Sequence, residues 1–385
     1  MKTETSRRNF LAAGLAMPAA GLASTTPNPA LPAPVSQQAA PKGKLMYRTL
    51  GKTGLKVSTV GFGCMITSDP AVISRAVDMG ISLFDTSRGY QGGQNERMVG
   101  AALGAKRKEI VLTSKVDAKD RAGALAELET SLKELNTDHL DVWHLHGKNS
   151  PQDISDELLE AQRTAKQQGK IRFMGVSTHS LPAIVDRIIE AKVDVVQPQY
   201  SFASDASYGP AIEKLAQAGV GLVAMKVMAR AGGRGRGGAQ TPQRPAGFFA
   251  AALKWTIKNP AIASTVPSMT DNDQLEQNFR AMAEPLTDAD AKILTARLEE
   301  IRPYFCRMCG RCEGKCPKGL PVADMVRFVM YADGYGQFAL GREHFLRMAA
   351  KHQQVRCGDC ATCAVQCPNG VGVAERMIRA QELFA

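Results

Sequence analysis

The sequence predicts an α/β chain: a closed (β/α)8 (TIM) barrel followed by a small second domain organised around cysteines. Three observations predict it. Short apolar or β-branched runs alternate eight times with amphipathic helical stretches. The alternation fills about 225 residues, the length that a barrel of eight units requires. Eight of the nine cysteines fall in the last 80 residues.

At the start of the chain, Ser6-Arg7-Arg8-Asn9-Phe10-Leu11 is a twin-arginine signature. Leu11 to Ala23 is an apolar run too short to span a bilayer. Residues 1–23 therefore read as a signal peptide, with Gly21-Leu22-Ala23 the nearest small-x-small cleavage match. Export to the periplasm by the twin-arginine route, which carries folded proteins, is the expectation. Residues 24–43 are rich in Pro, Ala, Ser and Thr, have no apolar period, and read as a linker. No other apolar stretch suits a membrane span. The 48 Lys and Arg outnumber the 37 Asp and Glu, giving a formal charge of +11. The basic residues are scattered rather than gathered on one stripe, which argues against a nucleic-acid partner.

Residues 44–300 carry the barrel pattern. The expected strands are 58–64, 83–87, 110–116, 140–146, 173–178, 195–200, 221–227 and 264–268, with helices such as 122–135, 154–168 and 182–192 between them. An open doubly wound sheet would place a glycine-rich turn after its first strand, and Gly61-Phe62-Gly63-Cys64 does not continue as one. In a barrel, chemistry sits at the C-terminal ends of the strands. Asp85, Tyr90, Lys115 and His146 all fall at that rim. A carboxylate that holds an ammonium beside a tyrosine favours the phenolate, and an adjacent histidine orients a carbonyl or shares the proton. These four are the candidate proton-transfer set. His144 faces the barrel interior and reads as structural, Cys64 as a buried small residue, and Trp143 as packing against helices.

Residues 301–385 hold the cysteines. Cys306, Cys309, Cys312 and Cys316 precede Pro317; Cys357, Cys360, Cys363 and Cys367 precede Pro368. Each set reads C-x2-C-x2-C-x3-C-P, the ferredoxin run that binds a [4Fe–4S] cluster, in which the fourth cysteine ligates the other cluster. Zinc sites use pairs of C-x2-C, and neighbouring thiols at this spacing strain to form disulfides. Two [4Fe–4S] clusters in a small ferredoxin-like domain are expected. The 40 residues between Cys316 and Cys357 are expected to insert helices near 322–332 and 342–351.

The runs Asp85-Thr86-Ser87-Arg88-Gly89-Tyr90 with Glu96, Thr113-Ser114-Lys115, and Asp141 to His146 resemble the aldo-keto reductase superfamily. The opening Tyr47 to Ser58 resembles the hairpin that closes the barrel floor in that family. The resemblance covers about residues 46–279 and implies that Asp85, Tyr90, Lys115 and His146 are the catalytic tetrad, with Tyr90 the proton donor. It further implies NAD(P)(H) as cofactor and a small carbonyl or alcohol as substrate. Cofactor contacts carried over are Ser177, Thr178, Gln197, Met225, Lys226, Ser268, Gln274 and Asn278. Several depart from the family pattern: Thr178 replaces an Asn, Met225 an aromatic, and Ser268 and Gln274 replace cations. The segment 230–238, with three arginines among glycines, could approach a pyrophosphate. A one-electron redox carrier is the further partner expected. Two other readings stay open: clusters that only staple a small domain, and a non-catalytic barrel that binds or senses redox state.

Overall fold

The computed structural model describes residues 44–230, 245–360 and 362–385. The expected signal peptide, the linker, and all but Arg230 of the segment 230–238 lie outside the described residues. The first element is a hairpin of β1 (Tyr47–Thr49) and β2 (Lys56–Ser58). Eight strands follow: β3 (Phe62–Gly63), β4 (Leu83–Asp85), β5 (Val111–Val116), β6 (Leu140–Leu145), β7 (Ile171–Thr178), β8 (Val195–Pro198), β9 (Gly221–Ala224) and β10 (Ser264–Thr265). They pair in parallel and in chain order from β3 to β10. The ring closes through parallel bridges of Val60 with Thr265 and Gly63 with Ser268. Gly61 N–H donates to the Thr265 carbonyl at 2.7 Å across this seam. The backbones meet closely there, because a Cβ on Gly63 would lie 2.5 Å from the Val266 carbonyl oxygen. Only glycine permits that approach.

The barrel helices are α1 (Pro70–Asp78), α2 (Gln94–Leu103), α3 (Arg121–Glu134), α4 (Asp156–Gln167), α5 (Leu181–Glu190), α6 (Tyr208–Gln217), α7 (Phe248–Lys258) and α8 (Asn272–Ala281), with α9 (Asp288–Ile301) leading out. Their starts follow sequence chemistry. Asp69, Asp120, Ser155, Asp271 and Thr287 each accept a backbone N–H in the first turn of the following helix, satisfying donors that the helix leaves open.

Two apolar layers hold the barrel. The larger lies between strands and helices and includes Trp143, Phe62, Phe84 and Leu128. The second fills the interior floor, where Leu50, Leu55 and Val57 of the hairpin region pack against Leu83, Val111, Val142, Val195 and Val223. Arg48 fastens this plug by donating to the carbonyls of Ile257, Asn259 and Ile262 at 2.7, 3.0 and 2.6 Å. The floor is thereby sealed and chemistry is left to the opposite rim. Most strands are shorter than the sequence suggested. The expected first strand, 58–64, splits at Thr59–Gly61, because β2 pairs with β1 while β3 pairs with β4.

The C-terminal region has its own core of Leu320, Met325, Val326, Phe328, Val329, Phe345, Val373, Met377 and Phe384, with the cysteines at its margin. Its helices are α10 (Val322–Val329), α11 (Phe338–Leu346), α12 (Ala350–Gln354) and α13 (Val373–Phe384). A π-helical segment, Met330–Gly334, follows α10 directly. The helix expected over 342–351 is two helices, α11 and α12, parted at residues 347–349.

Candidate active site at the C-terminal rim

Asp85 closes β4 and Lys115 lies on β5, one strand over. The Lys115 ammonium donates to Asp85 Oδ2 at 2.6 Å and to the Thr86 carbonyl at 2.8 Å, and Thr113 Oγ1 donates to Asp85 Oδ1 at 2.6 Å. Both charged groups are buried. Burial pushes the Asp85 carboxyl up, but Lys115, His144 and Thr113 together hold it below the ordinary range. Tyr90 begins a tight turn after β4, with Gln91 and Gly92 at φ 51° and 62°. That turn is anchored from behind. Arg88 pairs with buried Glu96, Ser114 donates to Glu96 at 2.6 Å, and Asn95 donates to the Cys64 carbonyl at 2.8 Å. The Lys115 ammonium lies 5.0 Å from the Tyr90 ring centroid, and the His146 ring meets Tyr90 edge-on at 6.1 Å. The structure thus brings all four predicted residues together.

Two features differ from expectation. The Tyr90 hydroxyl is not shifted toward the phenolate. Burial, then Asp85, Tyr331 and Asp117, push it well above the usual tyrosine range, because Lys115 spends its charge on Asp85 and faces the ring. Tyr90 is therefore a proton holder in this state. The second is a residue the sequence did not flag. Asp117 Oδ1 lies 2.9 Å from His146 Nδ1. A carboxylate there fixes a proton on Nδ1 and leaves Nε2 as the working nitrogen. Burial raises the Asp117 carboxyl, but His146, followed by Arg347 and His344 of the C-terminal region, brings it down to about 2. Its position two residues past Lys115 at a strand end was the only available signal. His144 is buried beneath the pair, with its ring against Gly175. Burial and Lys115 lower it to about 3, so it stays neutral.

A cleft opens beside the tetrad, lined by Asp85, Tyr90, Met225, Lys226, Ser268 and Tyr335 among others. Three of the eight predicted cofactor contacts line it: Met225, Lys226 and Ser268. Ser177 and Gln197 are buried at adjoining strand ends. Gln197 Oε1 has no hydrogen-bond partner, as expected of a group that awaits a ligand donor. The other three do not reach the cleft lining. Thr178 accepts from Ser180 N–H at 3.0 Å, Gln274 is held by Thr270 and Asp271 at its helix start, and Asn278 is buried in α8. A dinucleotide fits the residues present at Gln197, Met225, Lys226 and Ser268.

The cysteines gather across the two runs. The nearest thiols acting on Cys306 are Cys312, Cys309 and Cys367; those acting on Cys357 are Cys316, Cys360 and Cys363. Each fourth cysteine thus sits with the first three of the other run. Cys316, Cys357, Cys360 and Cys363 surround one open space. Among the described residues no three His, Cys, Asp or Glu converge as ligands of a single ion. The C-x2-C-x2-C-x3-C-P spacing of each run is that of a multi-iron cluster.

The cysteine region docks on the catalytic rim. Asp205, beyond β8, pairs with Arg311 and accepts from Asn369 at 3.0 Å, and both donors also contact the Cys309 sulfur. Ser180, beyond β7, donates to the Met308 carbonyl at 3.1 Å. His179 Nε2 lies 3.2 Å from the Tyr331 hydroxyl. Ala203 and Ala229 pack with Ile301, Phe305 and Met330, and Cys306 borders this cluster. Tyr331, Tyr335 and His179 carried no periodicity or motif that would have marked them.

Asp117→Asn should remove the downfield His146 Nδ1–H resonance and lower turnover about 10–100-fold, the size of effect seen when an orienting carboxylate is lost. Because the Asp117 pKa is depressed, the pair's contribution to stability is complete above about pH 4 and is lost as pH falls through about 2. An unchanged resonance in the variant would contradict the pairing.

Comparison with known proteins agrees with both parts. Residues 68–248 match the Aldo/keto reductase family, and residues 305–371 match the 4Fe-4S dicluster domain. The chain is 25% identical over 300 residues to the uncharacterized oxidoreductase YqkF of Bacillus subtilis, covering 66% of this chain and 96% of that one. It is 28% identical over 291 residues to L-galactose dehydrogenase of Arabidopsis thaliana, covering 63% and 89%. Among solved structures, the holo form of aldo-keto reductase AKR11C1 from Bacillus halodurans aligns with a TM-score of 0.57 at 25% identity, covering 66% of this chain and 96% of that one. Barrel, rim chemistry and cysteine runs lead to one statement: the chain is an oxidoreductase of the aldo-keto reductase type, with an aldo/keto reductase domain followed by a 4Fe-4S dicluster domain.

Proposed function

We propose that this protein is an exported iron–sulfur oxidoreductase that interconverts a small carbonyl compound and its alcohol, with two [4Fe–4S] clusters coupled to the reaction. One observation carries the reading: the cysteine domain is seated on the same rim as Asp85, Tyr90, Lys115 and His146. When bound, a nicotinamide would exchange a hydride with the carbonyl carbon, and the two clusters, at one electron each, would together pass that hydride's two electrons between the nicotinamide and an external one-electron carrier, its proton going to or coming from solvent. NAD(P)(H) would lie against Met225 and Ser268, with its amide on Gln197.

Tyr90, kept protonated by burial and by the carboxylates around it, donates its proton to the carbonyl oxygen and recovers one through His146. Asp117 holds His146 in the orientation this requires. Asp85 keeps Lys115 in place, so that a cation stands ready as negative charge develops on the tyrosine oxygen.

Coupling is supported by the few side chains between thiols and cleft. Cys306 borders Met330, the next residue is Tyr331, and the Tyr331 ring lies 6.2 Å from that of Tyr335 in the cleft wall. Export is supported by the run around Arg7-Arg8 and the apolar stretch after it. A one-electron carrier would serve as the external partner.

Metal analysis of anaerobically purified protein should give about eight irons per chain, two cubanes of four. Four irons, or zinc in their place, would contradict the two-cluster assignment. Tyr90→Phe should abolish carbonyl reduction, a loss of at least about 100-fold, while dinucleotide binding is largely retained. Near-normal turnover in that variant would overturn the mechanism.

A further inference from the structure

The two cysteine sites differ in what donates to their sulfurs, which stand here for the thiolates that would hold iron. At the site of Cys306, Cys309, Cys312 and Cys367, the Met308 backbone N–H donates to Cys306 Sγ at 3.4 Å. Arg311 Nε donates to Cys309 Sγ at 3.3 Å, and Asn369 Nδ2 donates to the same atom at 3.5 Å. At the other site, Cys363 Sγ meets an acceptor, the Val365 carbonyl, at 3.7 Å. Lys318 acts on Cys357 as a charge, but its ammonium donates to the Arg356 carbonyl at 2.7 Å. Among the described residues no N–H donor reaches the sulfur of Cys316, Cys357, Cys360 or Cys363.

The donors at Cys309 are fixed from the barrel. Asp205 pairs with Arg311 and accepts from Asn369 at 3.0 Å. It is itself held by the Ser207 N–H and hydroxyl at 3.2 and 2.9 Å. The carboxylate balances the guanidinium, so the pair adds little net charge and leaves two N–H dipoles directed at one sulfur. This is also the rim-side site, because Cys306 packs beside Ala203 and Ala229 of the barrel. The space that Cys316, Cys357, Cys360 and Cys363 surround is lined by the C-terminal region, with Leu320, Val373 and Met377 among its walls.

Hydrogen bonds to the sulfurs raise the reduction potential of an iron–sulfur cluster, because they stabilise the negative charge that reduction adds. Burial around Cys306 opposes added charge, but the same low dielectric strengthens each donor. We propose that Arg311 and Asn369, held by Asp205, set the rim-side cluster at a higher reduction potential than the outer one. A single electron given to the domain then leaves the outer cluster and rests on the rim-side cluster, with no bond made or broken. The barrel would thereby fix where the domain keeps its electron. The inference rests on the two-cluster reading above and adds which cluster fills first.

The test is a potentiometric titration of the intact, cluster-loaded protein followed by electron paramagnetic resonance. Wild type should show two reduction steps. Arg311→Met removes a donor and leaves Asp205 unbalanced, whereas Asn369→Leu removes a donor without changing charge. Each should lower the higher potential and leave the lower one in place. For Arg311→Met the electron distribution between the clusters should shift at least about tenfold, or ~59 mV for one electron. Arg311→Lys keeps the charge and should shift it less. Iron content near that of wild type shows that a variant has kept its clusters, and the Arg311 side chain is half exposed, which favours tolerance of its replacement. Potentials that stay put in the variants would overturn tuning by these residues. Movement of the lower potential instead would overturn the order of the two clusters. Wild type with four irons and a single step contradicts the two-cluster reading instead, and the shift of that step in Arg311→Met still decides the tuning.

Discussion

The buried pair of Lys115 and Asp85 is the constraint on which the rim depends. Removing two opposite charges from water costs several kcal/mol per ion, and their attraction offsets this only with good geometry and further hydrogen bonds. Both conditions are met, with a 2.6 Å contact supplemented by Thr113 and the Thr86 carbonyl. The pair can be completed only because adjacent parallel strands place Asp85 beside Thr113, two residues before Lys115. The ring in turn needs its sealed floor and its glycine seam. Removing either partner would leave one charge buried alone beside the Tyr90 ring, which lies 5.0 Å from the Lys115 ammonium.

The second level of organisation is the seating of the cysteine domain on the same rim. The contacts are specific rather than merely apolar. Asp205 takes two donors that also reach the Cys309 sulfur, and His179 Nε2 meets the Tyr331 hydroxyl at 3.2 Å in the buried interface. Burial, then Arg327 and Lys226, keep His179 neutral; Arg327 and Lys226 also outweigh burial at Tyr331 and draw its hydroxyl below the usual range. The interface thus combines hydrogen bonds and charge with the apolar packing of Ala203 and Ala229 against Ile301, Phe305 and Met330. His344 stacks on Tyr331 and Phe328 and acts on Asp117. The domain therefore faces both the Lys226 side and the His146 side of the site.

Much of this was legible in the chain, for identifiable reasons. The alternation of runs gave the barrel because strands buried on both faces read as continuous apolar stretches, such as Val111–Val116 and Leu140–Leu145. Strand ends were less legible, because a hydrophobic run continues into the loop after pairing stops, as at Val195–Tyr200. The cysteine spacing carried its own chemistry, including the exchange of Cys316 and Cys367. Asp117, His179, Tyr331 and Tyr335 were not legible, since each acquires its role from a partner distant in sequence: Tyr331 meets His179 across 152 positions. The sense of the Tyr90 shift was missed for the same reason, because a nearby ammonium counts for little once a carboxylate holds it. The side chains of Gln274 and Thr178 are each hydrogen-bonded within their own turn, which local sequence does not reveal.

The central claim is that rim and clusters act as one redox unit. Its most direct test is to mix the oxidised, cluster-loaded protein anaerobically with reduced dinucleotide or with an alcohol substrate and to follow the clusters by electron paramagnetic resonance. The account predicts a reduced-cluster signal that grows at the rate of turnover. Clusters that stay oxidised while the carbonyl reaction proceeds would contradict it and leave the domain with a structural role.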